Sequence, residues 1–484
     1  MAVNTQESSK PLEIIVIPYI TPGHLVPLSE IACLFASRQE QVIIITTTEK
    51  APVVENTIKH CKASAHSISV HAIPFPYKEV GLPDGFRLEH AKDMETASKY
   101  YHGLGLMQSA MQEFMRTRSP DCIIADKFFP WTSAFAETLN IPRIVFDPCF
   151  MFRKALQDAL LNPNSPHLTV KSDYEPFVIT DLPHPITLTR SKLPANTYAM
   201  LLKLQREAEL KSYGVVINSM SELESEYSEY YANKLDCKVF HVGPASLIHE
   251  NVDSKVDRSH NSVVSKEQVL SWLDSKNRNS VLYISFGSVC ELHDEQLMEI
   301  ACALESSNCD FIWVVRGKTN KDDDSTWQPK DFNINGKGMI LKGWAPQLLI
   351  LQHPSTGAFL THCGSNSVLE AVIEGVPLVT WPLIADQFCN EMLVTQVLGI
   401  GVEVGAEDWR FFSDLDRKII KREEIEKAVR MVMDGGDVVQ EMRKKTKELG
   451  DKAISAVKTG GSSHQNLTNL IHELKQMRDK CVWH

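Results

Sequence analysis

The sequence predicts an α/β protein built from two doubly wound domains, and three observations predict it. Short, continuous runs of apolar and β-branched residues recur along the chain, separated by longer segments of helical periodicity. The length of 484 residues exceeds what one compact core organises and suits two domains of roughly 200 to 250 residues. A polar, nearly aperiodic stretch, residues 245–266, separates the runs into two sets.

The first set comprises residues 12–18, 42–48, 122–126, 143–147, 214–218 and 239–242. The second comprises 280–287, 310–316, 338–342, 357–361 and 377–381. Runs this continuous suit strands buried on both faces, as parallel sheets covered by helices require. Strand-helix alternation through both sets therefore implies two Rossmann-like domains, 1–248 and 249–461. Residues 318–324 (KTNKDDD) read as a solvated excursion within the second. The last amphipathic stretch, 462–477, places Leu467, Leu470, Ile471 and Leu474 on one face. It needs an apolar surface, and residues 462–484 are expected to pack back on the first domain. Ligands of open α/β sheets sit beyond the carboxyl ends of the strands, so two facing domains predict an interdomain cleft as the site.

Bulk properties narrow the function. Hydrophobic content of 43% and charged content of 23% are ordinary for a globular protein. A net charge of -11 argues against a nucleic-acid partner, which needs a basic face. Eleven cysteines are scattered without a CxxC, and the odd count in a long chain argues against a disulfide framework. Cys33 and Cys302, among apolar neighbours, read as small buried hydrophobes. The start, MAVNTQESSK, shows no basic-then-apolar leader, and no apolar run reaches the ~18 residues of a membrane span. A cytoplasmic monomer is expected.

The segment 344–387, WAPQLLILQHPSTGAFLTHCGSNSVLEAVIEGVPLVTWPLIADQ, holds the densest set of candidate site residues. Trp344 follows a predicted strand, where an indole can stack on a flat base, and Gln347 can read polar edges. The strand TGAFLTH runs into a helix whose first residues, Ser365, Asn366 and Ser367, are N-cap types; Gly375 is a suitable stop. A helix N-terminus aimed into a cleft offers free N–H groups and the positive end of the helix dipole to a phosphate. His362 can donate to a phosphate oxygen and Glu370 can accept from a ribose diol. Ser367-x-x-Glu370 is equally a capping box, a purely structural device. Asp386 and Gln387 close the segment with a carboxylate and an amide, a pair suited to sugar hydroxyls or to a solvated turn. After YISFGS, Gly287 and Ser288 allow close backbone approach.

The first domain supplies a base. His24, in TPGH, follows the first predicted strand, and histidine is a suitable proton acceptor near neutral pH. A lone histidine is ordinarily a satisfied polar residue, but Asp126 ends another predicted strand and can orient the ring, as in a triad without its serine. Phe75, Phe86, Phe128, Phe129, Phe150 and Phe152 lie near loops of this domain; they are core fillers or the walls of an apolar pocket, with Phe86, Phe128, Phe129 and Phe150 the candidates for the pocket. The absence of Gly-x-Gly-x-x-Gly after the first strand, and of a P-loop lysine, weighs against an oxidoreductase or NTPase. No HxxxH or HExxH spacing occurs, so no metal site is expected.

Together these residues resemble the plant family 1 UDP-sugar glycosyltransferases. Residues 344–387 match the length of that family's 44-residue signature box, its opening Trp-Ala-Pro-Gln, its HCG-x-NS centre, its Glu and its closing Asp-Gln. TPGH, DKFFPW at 126–131 and YISFGS extend the similarity over nearly the whole chain, and GWAPQ is similar to the subgroup acting on flavonoids and triterpenoids. The resemblance implies a GT-B fold and inverting, metal-independent transfer from a UDP-sugar, a co-substrate rather than a cofactor, to a hydrophobic small molecule. It implies His24 as base and Asp126 as its support. It implies donor contacts from Ser288, Trp344 and Ala345, with Trp344 on uracil and Gln347 on the uridine. His362, Asn366 and Ser367 would hold the diphosphate, Glu370 the ribose, and Asp386 with Gln387 the sugar, with Gly364 also among the donor-binding residues. Gln387 at the last position favours UDP-glucose over UDP-galactose in that family. Ser365 departs from the pattern, which has tryptophan there; the smaller side chain leaves a gap beside the sugar and puts the sugar's identity in question. Competing readings are attack by an aromatic carbon instead of oxygen, and a UDP-sugar binder without transfer activity.

Overall fold

The computed structural model describes residues 10–61, 67–88, 91, 93–194, 199–249, 264–287, 292–315, 336–410 and 418–480. Two parallel sheets organise them. The first contains β1 (Glu13–Ile17), β2 (Gln41–Thr47), β3 (Ile68–Ile73), β4 (Cys122–Asp126), β5 (Arg143–Asp147), β8 (Gly214–Ile217) and β9 (Lys238–His241), in the order β3-β2-β1-β4-β5-β8-β9. The second contains β10 (Val281–Ser285), β11 (Asp310–Val315), β12 (Gly338–Lys342), β13 (Thr356–Thr361), β14 (Leu378–Thr380) and β15 (Gly401–Glu403), in the order β12-β11-β10-β13-β14-β15. Every strand pairing in both sheets is parallel. Both sheets are doubly wound, which makes the fold GT-B.

The central strands read EIIVI, CIIAD and RIVFD and lie buried along nearly their whole length, which is why apolar runs announced them. Three elements escaped that signal. β3 (ISVHAI) sits at the sheet edge with four of its six residues partly or fully exposed, and β15 spans only three residues. An antiparallel hairpin, β6 (Phe177–Ile179) with β7 (Ile186–Leu188), is too short for a periodicity to register. That hairpin joins the domains: Gln396 accepts from Thr187 N at 3.0 Å and donates to Thr187 O at 2.8 Å. Tyr174 donates to Asp408 at 2.8 Å, and Trp409 N donates to Ser191 O at 2.8 Å.

The predicted separator at 245–266 lies largely outside the described residues, as does the excursion at 318–324. The helix Ser462–Lys480 buries Leu467, Leu470, Ile471 and Leu474 in one cluster with Leu12, Ile14 and Phe240 of the first domain. Lys475 pairs with Glu40 at 2.6 Å, and Asn466 donates to His241 O at 3.1 Å. One cysteine reading is corrected: Cys33 is disulfide-bonded to Cys61, with a Cα–Cα separation of 6.2 Å. Packing of the Pro22–Ser37 helix against Ala51–Lys59 brings the two together across a sequence separation of 28, which no spacing rule encodes. Among the described residues no helix is long and apolar enough to cross a membrane.

Candidate active site

In each sheet the strand order reverses direction once, between β1 and β4 in the first and between β10 and β13 in the second. At such a switch point the loops leaving two neighbouring strands diverge and open a crevice at their carboxyl ends. The candidate residues converge on these two crevices.

His24 is in the first turn of the helix Pro22–Ser37 that follows β1, and Asp126 is the last residue of β4. The two sit side by side: His24 Nδ1 lies 2.7 Å from Asp126 Oδ2, with the carboxylate fully buried and the imidazole 17% exposed. Asp126 Oδ1 accepts from Phe128 N at 3.0 Å, so both carboxylate oxygens are fixed. A carboxylate can only accept, so it selects the tautomer with the proton on Nδ1 and leaves Nε2 as the basic nitrogen. Aromatic rings hold the imidazole in place, with Tyr19 and Phe128 each at 5.4 Å between centroids.

Across the cleft, β13 leads into the helix Ser365–Ile373, whose N-cap is Gly364 with no side-chain cap. The capping box Ser367-x-x-Glu370 therefore does not form. Gln347 takes both side chains, donating to Glu370 at 2.8 Å and to Ser367 at 3.3 Å, while Tyr283 donates to Gln347 at 3.3 Å. The first N–H groups of the helix are left for a ligand. Asn366 donates to Gly23 O at 3.1 Å, so the N-terminus of this helix is tied to the residue preceding His24.

Glycine makes room for His362. A Cβ at Gly364 would lie 2.7 Å from His362 Nε2, and one at Gly287 would collide with the same ring. Gly287 also has φ +71°, a left-handed backbone. Burial pushes the Cys363 thiol well above its usual range, so that residue stays neutral packing. Trp344 is 37% exposed just beyond β12, an open indole face, and Ala345 is buried behind it.

Ser365 leaves no simple gap. Its hydroxyl donates to Asp386 Oδ2 at 2.5 Å, and Asn390 donates to the same oxygen at 2.8 Å and to Ser365 Oγ at 3.1 Å. Both of these bonds to the carboxylate fall on Oδ2. Gln387 is turned the other way. Its Oε1 accepts from Leu383 N at 2.8 Å and Ile384 N at 2.9 Å, holding the loop beneath Asp386. Asn390 was missed by sequence reasoning, although its position one helical turn after Asp386 was a usable signal. Ser288 lies outside the described residues.

The aromatic candidates divide. Phe128 and Phe86 are partly exposed, and Phe128 faces His24. Phe129 at 4% and Phe150 at 1% exposure are core, Phe150 inside a cluster running on into the second domain through Met392 and Leu393. Those two are withdrawn as pocket walls.

Comparison with known proteins fits this geometry. The family model described as UDP-glucoronosyl and UDP-glucosyl transferase matches residues 82–437. The chain belongs to the UDP-glycosyltransferases. This transferase is 48% identical to UDP-glucosyl transferase 73CC6 of Saponaria officinalis, with 97% of this chain and 98% of the relative covered. It is 40% identical to soyasapogenol B glucuronide galactosyltransferase of Glycine max, with 96% of each covered. Among solved structures, Glycyrrhiza uralensis UGT73P12 complexed with glycyrrhetinic acid 3-O-monoglucuronide superposes with a TM-score of 0.89 at 38% identity, covering 97% of both chains. The transferase thus moves sugar from a UDP-sugar to a small-molecule hydroxyl.

Proposed function

We propose that the protein performs inverting, metal-independent transfer of a hexose, glucose in the first instance, to a hydroxyl of a flavonoid- or triterpenoid-type acceptor. The observation that carries this reading is His24 held at 2.7 Å by the buried Asp126, facing the uncapped Ser365 helix and linked to it through Asn366 and Gly23. His24 Nε2 takes the proton of the acceptor hydroxyl as its oxygen attacks the anomeric carbon. UDP departs from the opposite face, which inverts the configuration. The developing charge on the diphosphate meets the helix N–H groups and the positive end of the helix dipole, fixed in advance of the reaction. His362 and Asn366 stand beside that position, Trp344 and Gln347 would take the uridine, Glu370 the ribose, and Asp386 with the Gln387 amide the sugar.

Relatives named for transfer to soyasapogenol B glucuronide and to a flavonoid, and a neighbour complexed with glycyrrhetinic acid 3-O-monoglucuronide, support the acceptor class. A matrix of UDP-glucose, UDP-galactose, UDP-glucuronate, UDP-xylose and UDP-rhamnose against phenolic and triterpenoid alcohols, read by mass shift, tests the reading. The expected product from α-linked UDP-glucose is a β-glucoside by NMR. An α-product would overturn inversion, and dependence of turnover on added divalent cation would overturn metal independence.

A further inference from the structure

Asn366 ties the start of the Ser365 helix to Gly23 of the first domain. A second tie between the domains leaves the turn 189–192 of the first domain, just after the hairpin strand β7. Lys192 donates to Glu391 at 3.2 Å and to Glu403 at 3.3 Å, and Ser191 O accepts from Trp409 N at 2.8 Å. Glu391, Glu403 and Trp409 all belong to the second domain. Glu391 is fully buried, and its other oxygen accepts from the Thr380 hydroxyl at 2.8 Å, at the end of β14. Lys192 reaches it with a side chain only 15% exposed.

Both contacts run on to the loop that carries Asp386. The first route passes through the indole. Trp409 is buried, and its Nε1 donates to Ala385 O at 3.0 Å. Ala385 has φ +54°, a left-handed backbone that a residue with a Cβ keeps only where its surroundings hold it. It directly precedes Asp386. The second route passes through Glu391, whose chain neighbour Asn390 is fully buried and donates to Asp386 Oδ2 at 2.8 Å. Asn390 also donates to Cys363 O at 2.8 Å and to Ser365 Oγ at 3.1 Å, which bonds this loop to the start of the Ser365 helix. Two separate routes from one turn of the first domain therefore end at the same carboxylate of the second.

We propose that Lys192 and Trp409 are positioning residues through which the first domain sets the Asp386 loop, so that the sugar is presented at a fixed distance from His24. The proposal rests on the reading that Asp386 holds the sugar. Reacting atoms must approach to about 3–3.5 Å, and a small misplacement set far from the chemistry is costly. His24 and Asp386 stand on different domains, so their separation is only as definite as the contacts between those domains. Asn366 supplies one such contact at the Ser365 helix, and the turn 189–192 supplies the other at the sugar loop. Desolvation offsets much of the attraction in a buried ion pair, which makes Lys192 a poor source of stability but a well-defined anchor.

The test is calorimetric binding of UDP-glucose and of UDP, without acceptor, to the wild-type protein and to variants of the tie. Trp409→Phe keeps a ring and the backbone bond to Ser191 but loses the bond to Ala385. It should weaken UDP-glucose by about fivefold, and Lys192→Met by about tenfold, with UDP bound as before. A merely structural defect lowers the fraction of protein that binds and leaves both Kd values alone, so their ratio isolates positioning. Equal weakening of both ligands, or no change in either, overturns the proposal. Lys192→Met also strands Glu391 without its cation, and the double variant Lys192→Met with Glu391→Gln removes that charge. The double variant should show the same selective loss, and it carries the comparison where Lys192→Met fails to fold. UDP-glucose affinity restored to the wild-type value there would trace the loss to the stranded carboxylate and remove Lys192 as a positioning residue. Asp386→Asn separates the tie from the reading beneath it. Selective loss in Asp386→Asn alone keeps the sugar contact and sinks the tie. Selective loss in the tie variants with Asp386→Asn silent keeps the tie and moves the sugar contact to another residue of the loop.

Discussion

His24 shows how much one contact adds to a residue type. In the sequence it is a histidine after a strand; in the fold it is a histidine whose Nδ1 is held by a buried aspartate and whose Nε2 is the basic atom. His24→Ala should lower kcat by about 10² to 10⁴-fold, the usual worth of a general base, while UDP binds with its original Kd in calorimetry. Undiminished turnover would remove His24 from the chemistry. Ser365 shows the reverse case. As a departure from a pattern it suggested an empty space, yet its hydroxyl is bonded to the carboxylate expected to read the sugar. Ser365→Ala should weaken a UDP-sugar by up to about fivefold, one hydrogen bond's net value of about 1 kcal/mol. UDP alone, which lacks the sugar, should bind as before; an equal loss for both ligands would show that Ser365 acts on the phosphates.

At the scale of elements, the two switch points bring together what the sequence scatters. β1 with β4 brings His24 to Asp126, and β10 with β13 brings Gly287 against His362 at the approach to the Ser365 helix. The signature segment was legible because it is a local string of residue types in a fixed order: an indole, a strand, an uncapped helix start and an acid. Its internal bonds were not legible, because Gln347 reaches Glu370 across 23 residues and only the packed fold sets that distance. Gly287 illustrates a backbone requirement with a functional reading. Gly287→Ala strains a left-handed residue by about 1–2 kcal/mol and pushes a methyl into the His362 ring. The expected result is UDP affinity lower by about tenfold, measured by titration calorimetry. Wild-type affinity in that variant would mean that His362 contributes nothing to the diphosphate.

At the scale of the molecule, the chain closes on itself, its last helix completing the core of its first domain. Leu470 is fully buried there, and Leu470→Ala should cost about 2–5 kcal/mol, cavity included, visible in urea unfolding. An unchanged midpoint would mean that the helix is no part of the cooperative unit. His241, bonded through its carbonyl to Asn466 of that helix, is held neutral by burial, its pKa lowered to about 4. The unfolded ring takes up a proton as pH falls through about 6.5, the folded ring only near about 4. Stability is therefore lost as pH drops across that window, by at most about 1.4 kcal/mol per pH unit. His241→Asn should flatten the slope of Tm against pH between those limits; a parallel slope would place the source elsewhere.

The sequence by itself determined the class of both domains, the buried strands and the docking face of the last helix. Each of these is a local pattern, and local patterns follow from residue spacing and backbone geometry. Only the tertiary structure decided the partners: Cys33 with Cys61, Ser365 with Asp386 and Asn390, and Gln347 with Glu370 in place of a capping box. It also gathered Lys127, Arg153 and Lys154 around Asp147, and it moved Phe129 and Phe150 from pocket to core. Pairings and burial depend on which strand ends share a crevice, a property of sheet order that no window of sequence contains.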